Sequence, residues 1–137
     1  MGIVYAEITL KNSGDIGNVQ RGLITEQDIC NITVTALVDT GSGTLVINED
    51  IRQKLGLEIQ GLRGITIAGG VKQTCKVTEP VHIQWKNRDT ACRALVLPGE
   101  GDVLLGAIPL EDMDLVVNPV KRELVGAHGD EIVCYVK

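Results

Sequence analysis

The chain contains no Phe, and Tyr5, Trp85 and Tyr135 are its only aromatic residues. A densely packed core must therefore be filled by Val, Ile and Leu, and side chains branched at Cβ pack best on pleated strands. Their placement agrees with this. Ile3 to Leu10 alternates, Ile32 to Val38 is rich in β-branched residues, and Val81, Ile83 and Trp85 alternate with His82 and Gln84. Asn87-Arg88-Asp89 turns that strand back into Ala91 to Leu97. Val103-Leu104-Leu105, Leu115 to Val117, Glu123 to Val125 and Ile132 to Val136 read as further strands. Ile65 to Lys72 reads as a hairpin with Gly69-Gly70 at its tip, since glycine supplies the positive φ angles of a tight turn.

Two short helices interrupt the strands. Asn48 can cap the free amides of Glu49 to Leu55, Glu49 and Asp50 suit the positive end of the helix dipole, Lys54 suits the other end, and Gly56 can take a left-handed stop. Pro109 fits the first turn of a second helix, near Pro109 to Met113. Asn12 to Asp15 reads as a turn, and residues 15–30 as a polar loop with a short strand near Gly22-Leu23-Ile24. With 137 residues, 44% of them hydrophobic, the expectation is one folded domain over residues 1–137.

Charge and composition exclude several functions. A net charge of −5 argues against holding a phosphate backbone, and three aromatic residues make no stacking platform for single strands. No apolar run approaches a membrane span. Met1 to Glu7 lacks the basic region and apolar core of a signal peptide, so a cytoplasmic protein is expected. Cys30, Cys75, Cys92 and Cys134 are too widely spaced for a zinc site and read as free thiols. No metal or other cofactor is expected.

One tripeptide stands out. Leu37-Val38 carries an apolar strand into Asp39-Thr40-Gly41, so the Asp39 carboxylate would emerge from the end of a rigid element. Gly41 permits a tight turn, and Thr40 carries a hydroxyl able to anchor the loop. Asp, Thr, Gly and Ser also make an ordinary turn, and the tripeptide alone does not decide between the two readings. Its context does. Val103-Leu104-Leu105-Gly106 repeats the pattern of apolar strand, Gly turn and short helix, without a carboxylate at the equivalent point.

Val38-Asp39-Thr40-Gly41-Ser42, the Gly69-Gly70 hairpin tip and Leu104-Leu105-Gly106 before a helix resemble, in order and spacing, retropepsin-like (clan AA) aspartic proteases. The resemblance runs from about Ile32 to Val125 and is closest to the small prokaryotic single-domain type. It implies an all-β, closed-barrel-like fold with two short helices and an aspartic endopeptidase activity with Asp39 as the catalytic residue. Amide hydrolysis needs an activated water on one face of the carbonyl and a proton donor at its oxygen. Two carboxylates in contact supply both, because like charges a few Å apart cannot both ionise and so share a proton; aspartic proteases are the standard worked example of this division.

One chain supplies one such carboxylate. Asp89-Thr90-Ala91, the nearest internal rival for a second, lacks the glycine and lies in an expected hairpin turn. A two-fold axis placing two copies of Asp39 face to face is simpler, and the resemblance implies the same homodimer. It further implies that Thr40 bonds across the axis and that Gly41 and Ser42 contact peptide. Ile67, Ala68, Gly69, Gly70 and Val71 would form a flap over the substrate, and Leu104, Leu105 and Gly106 the floor of the active site. Ser42-Gly43 and Ala107-Ile108 stand where some viral members keep an interface ion pair, so that pair is missing. The alternative is a non-catalytic peptide-binding or scaffold domain of the same fold.

Other groups point to less. His82 and His128 lie far apart and read as exposed or partly satisfied histidines. Ser42 has no nucleophile-elbow motif around it. Glu111, Asp112 and Asp114 read as a solvated helix end rather than a cation site.

Overall fold

The computed structural model describes residues 2–67 and 69–136. The core strands are β1 (Tyr5–Asn12), β2 (Asn31–Val38), β3 (Leu45–Asn48), β4 (Ile59–Thr66), β5 (Lys72–Trp85), β6 (Arg88–Leu97) and β7 (Leu104–Leu105). They form one sheet in the order β1-β2-β7-β3-β6-β5-β4, and a further pairing of β1 with β5 closes six of them into a ring. Closure removes the free edges of those strands and leaves β4 outside as the flank of a long hairpin. A separate hairpin, β8 (Leu115–Asn118) with β9 (Glu123–Gly126), follows the last helix. The strands expected from the aliphatic composition and the all-β, barrel-like architecture implied by the family resemblance are therefore observed.

The ring interior is filled by Ile8, Leu10, Leu45, Ile47, Leu55, Leu57, Val81, Ile83 and Leu105, all essentially buried. β5 is a single strand of 14 residues bent by a bulge between Val77 and Pro80. Thr78 makes that bulge tolerable. Its hydroxyl accepts from the Ala94 amide at 3.1 Å and donates to the Glu79 carbonyl at 2.6 Å, satisfying groups where the ladder is interrupted.

The helix α2 (Glu49–Leu55) has the expected ends. Asn48 Oδ1 accepts from the Ile51 amide at 2.9 Å, a cap worth about 1 kcal/mol, and Gly56 stops the helix at φ 62°. Ile51 and Leu55 turn inward from one face. The second expected helix, α3 (Ala107–Asp112), begins two residues earlier than Pro109.

Other expectations fail. Residues 15–30 are not a loop with a short strand: α1 (Ser13–Gln20) and a 3-10 turn at Glu26–Asp28 occupy the segment, giving three α-helices rather than two. α1 buries none of its residues, so it has no apolar periodicity to read. It starts because Asn12 Oδ1 accepts from the Asp15 amide at 3.1 Å, while Asn12 Nδ2 donates to the Leu55 carbonyl at 2.9 Å. Ile132 to Val136 has strand composition but joins no sheet; only a single bridge, His128 to Glu131, precedes it. A strand pattern becomes a strand only where it pairs with a neighbouring ladder, and residues 132–136 pair with none of the described strands.

The chain end is held by side chains instead. Asp114, at φ 55° and 8% exposed, accepts from His128 Nδ1 at 2.8 Å and from the Val133 amide at 3.0 Å. With its proton on Nδ1, His128 accepts from the Tyr135 hydroxyl at Nε2, 3.2 Å away. Arg88, only 2% exposed, donates to the carbonyls of Met113, Asp114 and Gly129. Asp114 is thus a buried anchor, not part of a solvated acidic helix end, and Arg88 is not a turn residue.

The hydrogen bonds from His128 and Val133 hold the Asp114 carboxyl below its ordinary value of 3.8. A depressed folded-state value means stability present above the unfolded pKa and lost as pH falls through the folded one. Urea unfolding of wild type and Asp114→Asn should therefore differ at neutral pH, and the difference should shrink as pH falls below the ordinary carboxyl value of 3.8. A constant difference across that range would contradict the anchor.

Candidate active site

β2 and β7 lie parallel and in register, Leu37 opposite Leu104 and Val38 opposite Leu105. The two copies of the apolar-strand-and-glycine pattern therefore sit side by side. The Asp39 amide continues the ladder to the Leu105 carbonyl at 3.0 Å, so the carboxylate leaves the end of a fixed strand. The loop then folds back on it. Asp39 Oδ1 accepts from the Gly41 amide at 3.0 Å, and Oδ2 accepts from the Ser42 hydroxyl at 3.2 Å. Ser42 N donates to the Asp39 carbonyl at 3.0 Å, closing the turn. Asp39 is half-buried, while Thr40 and Gly41 are exposed.

Gly106 holds the loop from behind. A Cβ there would stand 2.6 Å from the Ser42 carbonyl oxygen and 2.8 Å from the Thr44 amide nitrogen, and still closer to the Thr44 carbonyl. In the absence of that atom, Ala107 N reaches the Ser42 carbonyl at 2.8 Å and Ile108 N the Gly43 carbonyl at 3.0 Å. The helix start and the Asp39 loop are thus stitched together.

Asp39, Gly41, Ser42, Gly43 and Thr44 form one wall of a cleft of about 570 Å³. Val46, Leu95, Leu97 and Leu104 provide its apolar floor, and Ile65, Thr66 and Ile67 reach in from the hairpin. Among the described residues, Asp39 is the only carboxylate lining it. The cleft is of the size and apolar character of ligand sites, with few polar groups converging on it. Asp89 lies elsewhere: its carboxylate pairs with His82 Nε2 at 2.8 Å on the β5–β6 hairpin.

The sequence-predicted residues divide accordingly. Asp39, Gly41, Ser42, Ile67 and Leu104 come together at the cleft. Leu105 is buried behind it, and Gly106 acts through its missing side chain. Gly69 and Gly70 take φ 91° and 79° at the hairpin tip; Val71, 57% exposed, follows them. Ala68 lies outside the described residues. Val46, Leu95 and Leu97 were not anticipated, although Leu95 and Leu97, two apart on one strand, share a face.

No group of three or more His, Cys, Asp or Glu side chains suited to a metal ion occurs among the described residues. No helix among them is long and apolar enough to cross a membrane.

A family profile described as "Aspartyl protease" matches residues 25–108, more than half of the chain. Among solved structures, the EIAV protease complexed with the inhibitor HBY-793 is similar at 28% sequence identity and a TM-score of 0.47. That match covers 58% of this chain and 76% of the other. No curated protein matches the chain.

Proposed function

The chain belongs to the aspartyl protease family, and from that premise we propose that residues 1–137 form one endopeptidase domain whose catalytic group is Asp39, working as a homodimer. The observation that supports this most is the single carboxylate at an apolar cleft, fixed by the Gly41 amide and the Ser42 hydroxyl. A carboxylate held by donors on both oxygens keeps one orientation without losing its remaining lone pairs. One such group cannot both take a proton from water and give one to the carbonyl oxygen. Two copies of Asp39 sharing a proton across a two-fold axis do both.

In this mechanism the ionised Asp39 removes a proton from the water as it attacks the peptide carbonyl. The protonated Asp39 of the second copy donates to the carbonyl oxygen. As the tetrahedral intermediate collapses, the amine leaves with the proton that the first Asp39 took from water, and a hydroxyl of the intermediate returns its proton to the second Asp39, restoring the shared-proton pair. Thr40, exposed beside Asp39, bonds across the axis and holds the paired loops. Gly41 and Ser42 meet the substrate backbone. The hairpin segment Ile67 to Val71 closes over it and keeps bulk water out. Leu104, with Leu105 and Gly106 behind it, supports the floor.

The cleft indicates the substrate class. Val46, Leu95, Leu97, Leu104 and Ile65 line it, which suits an extended peptide with aliphatic side chains next to the cleaved bond. The peptide backbone would pair with the loop and hairpin as an added strand. Incubation with a peptide library tests the reading: cleavage by wild type but not by Asp39→Asn supports it, and equal cleavage by both sinks it. Peptide binding without cleavage by either would support a scaffold domain instead.

A further inference from the structure

We propose that Arg63 and Lys76 form a carboxylate subsite where the cleft continues outward along the β4–β5 hairpin, so that the preferred peptide carries Asp or Glu beyond its aliphatic residues. The inference rests on the reading of the cleft as a peptide site and narrows the class of peptide it takes.

Charge sets this hairpin apart from the rest of the chain. Residues 59–78 contain Arg63, Lys72 and Lys76 and no Asp or Glu. They carry +3 in a chain of net charge −5, so the remainder carries −8. All three cations are exposed, and none makes an ion pair among the described residues. A run of one sign on the element that reaches over a cleft selects which charges can settle there.

The register of the hairpin places Arg63. It stands opposite Cys75, and Ile65 stands opposite Gln73. Residues two apart on a strand share a face, so Arg63 extends the stripe of Ile65 and Ile67, both of which line the cleft. At about 3.4 Å per residue it lies roughly 7 Å outward from Ile65.

A second hollow marks the same place. It measures about 290 Å³, and Thr74, Cys75, Lys76, Leu97 and Pro98 are among the residues lining it. Leu97 also lines the cleft, and Cys75 is the cross-strand partner of Arg63. The hollow therefore prolongs the cleft beside the two cations. The carboxylate that lines it, Glu49, is already held by Arg52, whose Nε donates to it at 2.8 Å. Glu100 and Asp102 follow on the next loop and are exposed, so a peptide carboxylate is drawn to the hairpin side of the hollow. An extended peptide advances by the same rise as the strand beside it. A carboxylate about two residues beyond the aliphatic side chain at Ile65 therefore meets Arg63. A two-fold axis would repeat the subsite at the other end of the peptide, giving an aliphatic centre between acidic flanks.

Three peptides test this. They share a central block of aliphatic residues and end on both sides in runs of Glu, of Gln or of Lys. Cleavage kinetics are measured for wild type, Arg63→Glu and Arg21→Glu, and binding of the labelled peptides by fluorescence anisotropy to the Asp39→Asn form of each. Arg21 is exposed and lines neither the cleft nor the hollow, so Arg21→Glu makes the same change in net charge elsewhere. Wild type should favour the Glu-flanked peptide over the Gln-flanked one by roughly fivefold in kcat/KM, chiefly through KM. Arg63→Glu should invert the order and prefer the Lys-flanked peptide. Arg21→Glu should keep the wild-type order.

Equal cleavage and equal binding of all three peptides by wild type overturn the subsite and leave the half-site reading intact. A Glu preference that survives Arg63→Glu, or that Arg21→Glu abolishes as completely, overturns it as well. Tighter binding of the Glu-flanked peptide that Arg63→Glu reverses, with no peptide cleaved by wild type, supports the subsite and sinks the catalytic reading. If none of the three peptides binds or is cleaved, both fall together.

Discussion

Replacing Asp39 by Asn is expected to abolish peptide cleavage, lowering kcat/KM by about 10³-fold or more, with little change in stability. The two halves of this expectation have separate causes. Asn keeps the shape of Asp: its oxygen can still accept from the Gly41 amide, and its Nδ2 can donate to the Ser42 hydroxyl oxygen, so both loop contacts persist with the second reversed in direction. Asp39 is half-buried and makes no ion pair among the described residues, so little folding energy is lost with its charge. An amide, however, neither accepts a proton from water nor donates an acidic one. General acid–base catalysis contributes 10² to 10⁴-fold where one group acts, and in a symmetric dimer the substitution removes both groups at once. Kinetics on a cleaved peptide, with the unfolding midpoint measured in parallel, check it. A large loss of stability would mean that the activity change reported unfolding rather than chemistry.

Gly106→Ala should be the most disruptive small substitution near the cleft. The backbone at Gly106, φ −93° and ψ −174°, is available to any residue, so strain is not the reason. Space is. The added methyl would meet the Ser42 and Thr44 backbone at 2.6 and 2.8 Å, and backbone cannot rotate aside as a side chain does. Overpacking of this kind costs about 1–3 kcal/mol. The Ala107 and Ile108 amide bonds to the loop would weaken as well, each worth about 1 kcal/mol. A loss of about 3 kcal/mol, seen as a fall of roughly 1–3 M in the urea midpoint, is expected. The displaced loop carries Asp39, so cleavage should fall even where the protein stays folded. Gly43→Ala is the contrast: a Cβ there meets nothing within 4 Å, and its stability should stay near that of wild type.

What the sequence revealed follows from how local each signal is. α2 announces itself because its cap, its dipole-matched charges and its left-handed Gly56 all lie within nine residues. The parallel pairing of β2 with β7 was foreshadowed by the repeated apolar-Gly pattern, since both copies meet at one place. Asp39 was legible because its own strand and its own turn present it. α1 was not, because its only signal is a cap and none of its residues is buried. Asp114 was misread because its partners, His128 and Val133, lie 14 and 19 residues further along. Leu95 and Leu97 looked like plain strand residues, because only the ring closure turns one face of β6 toward Asp39. The C-terminal residues carry a strand pattern but pair with no described strand of the chain.

The central claim is that each chain holds half of an active site. The distance between the two Asp39 carboxylates in the crystallised homodimer tests it most directly. The account predicts closest oxygens within about 3 Å, the reach of a shared proton, with the axis passing between the two loops. A dimer that keeps the two Asp39 residues on separate faces, in a preparation that cleaves peptide, would contradict it.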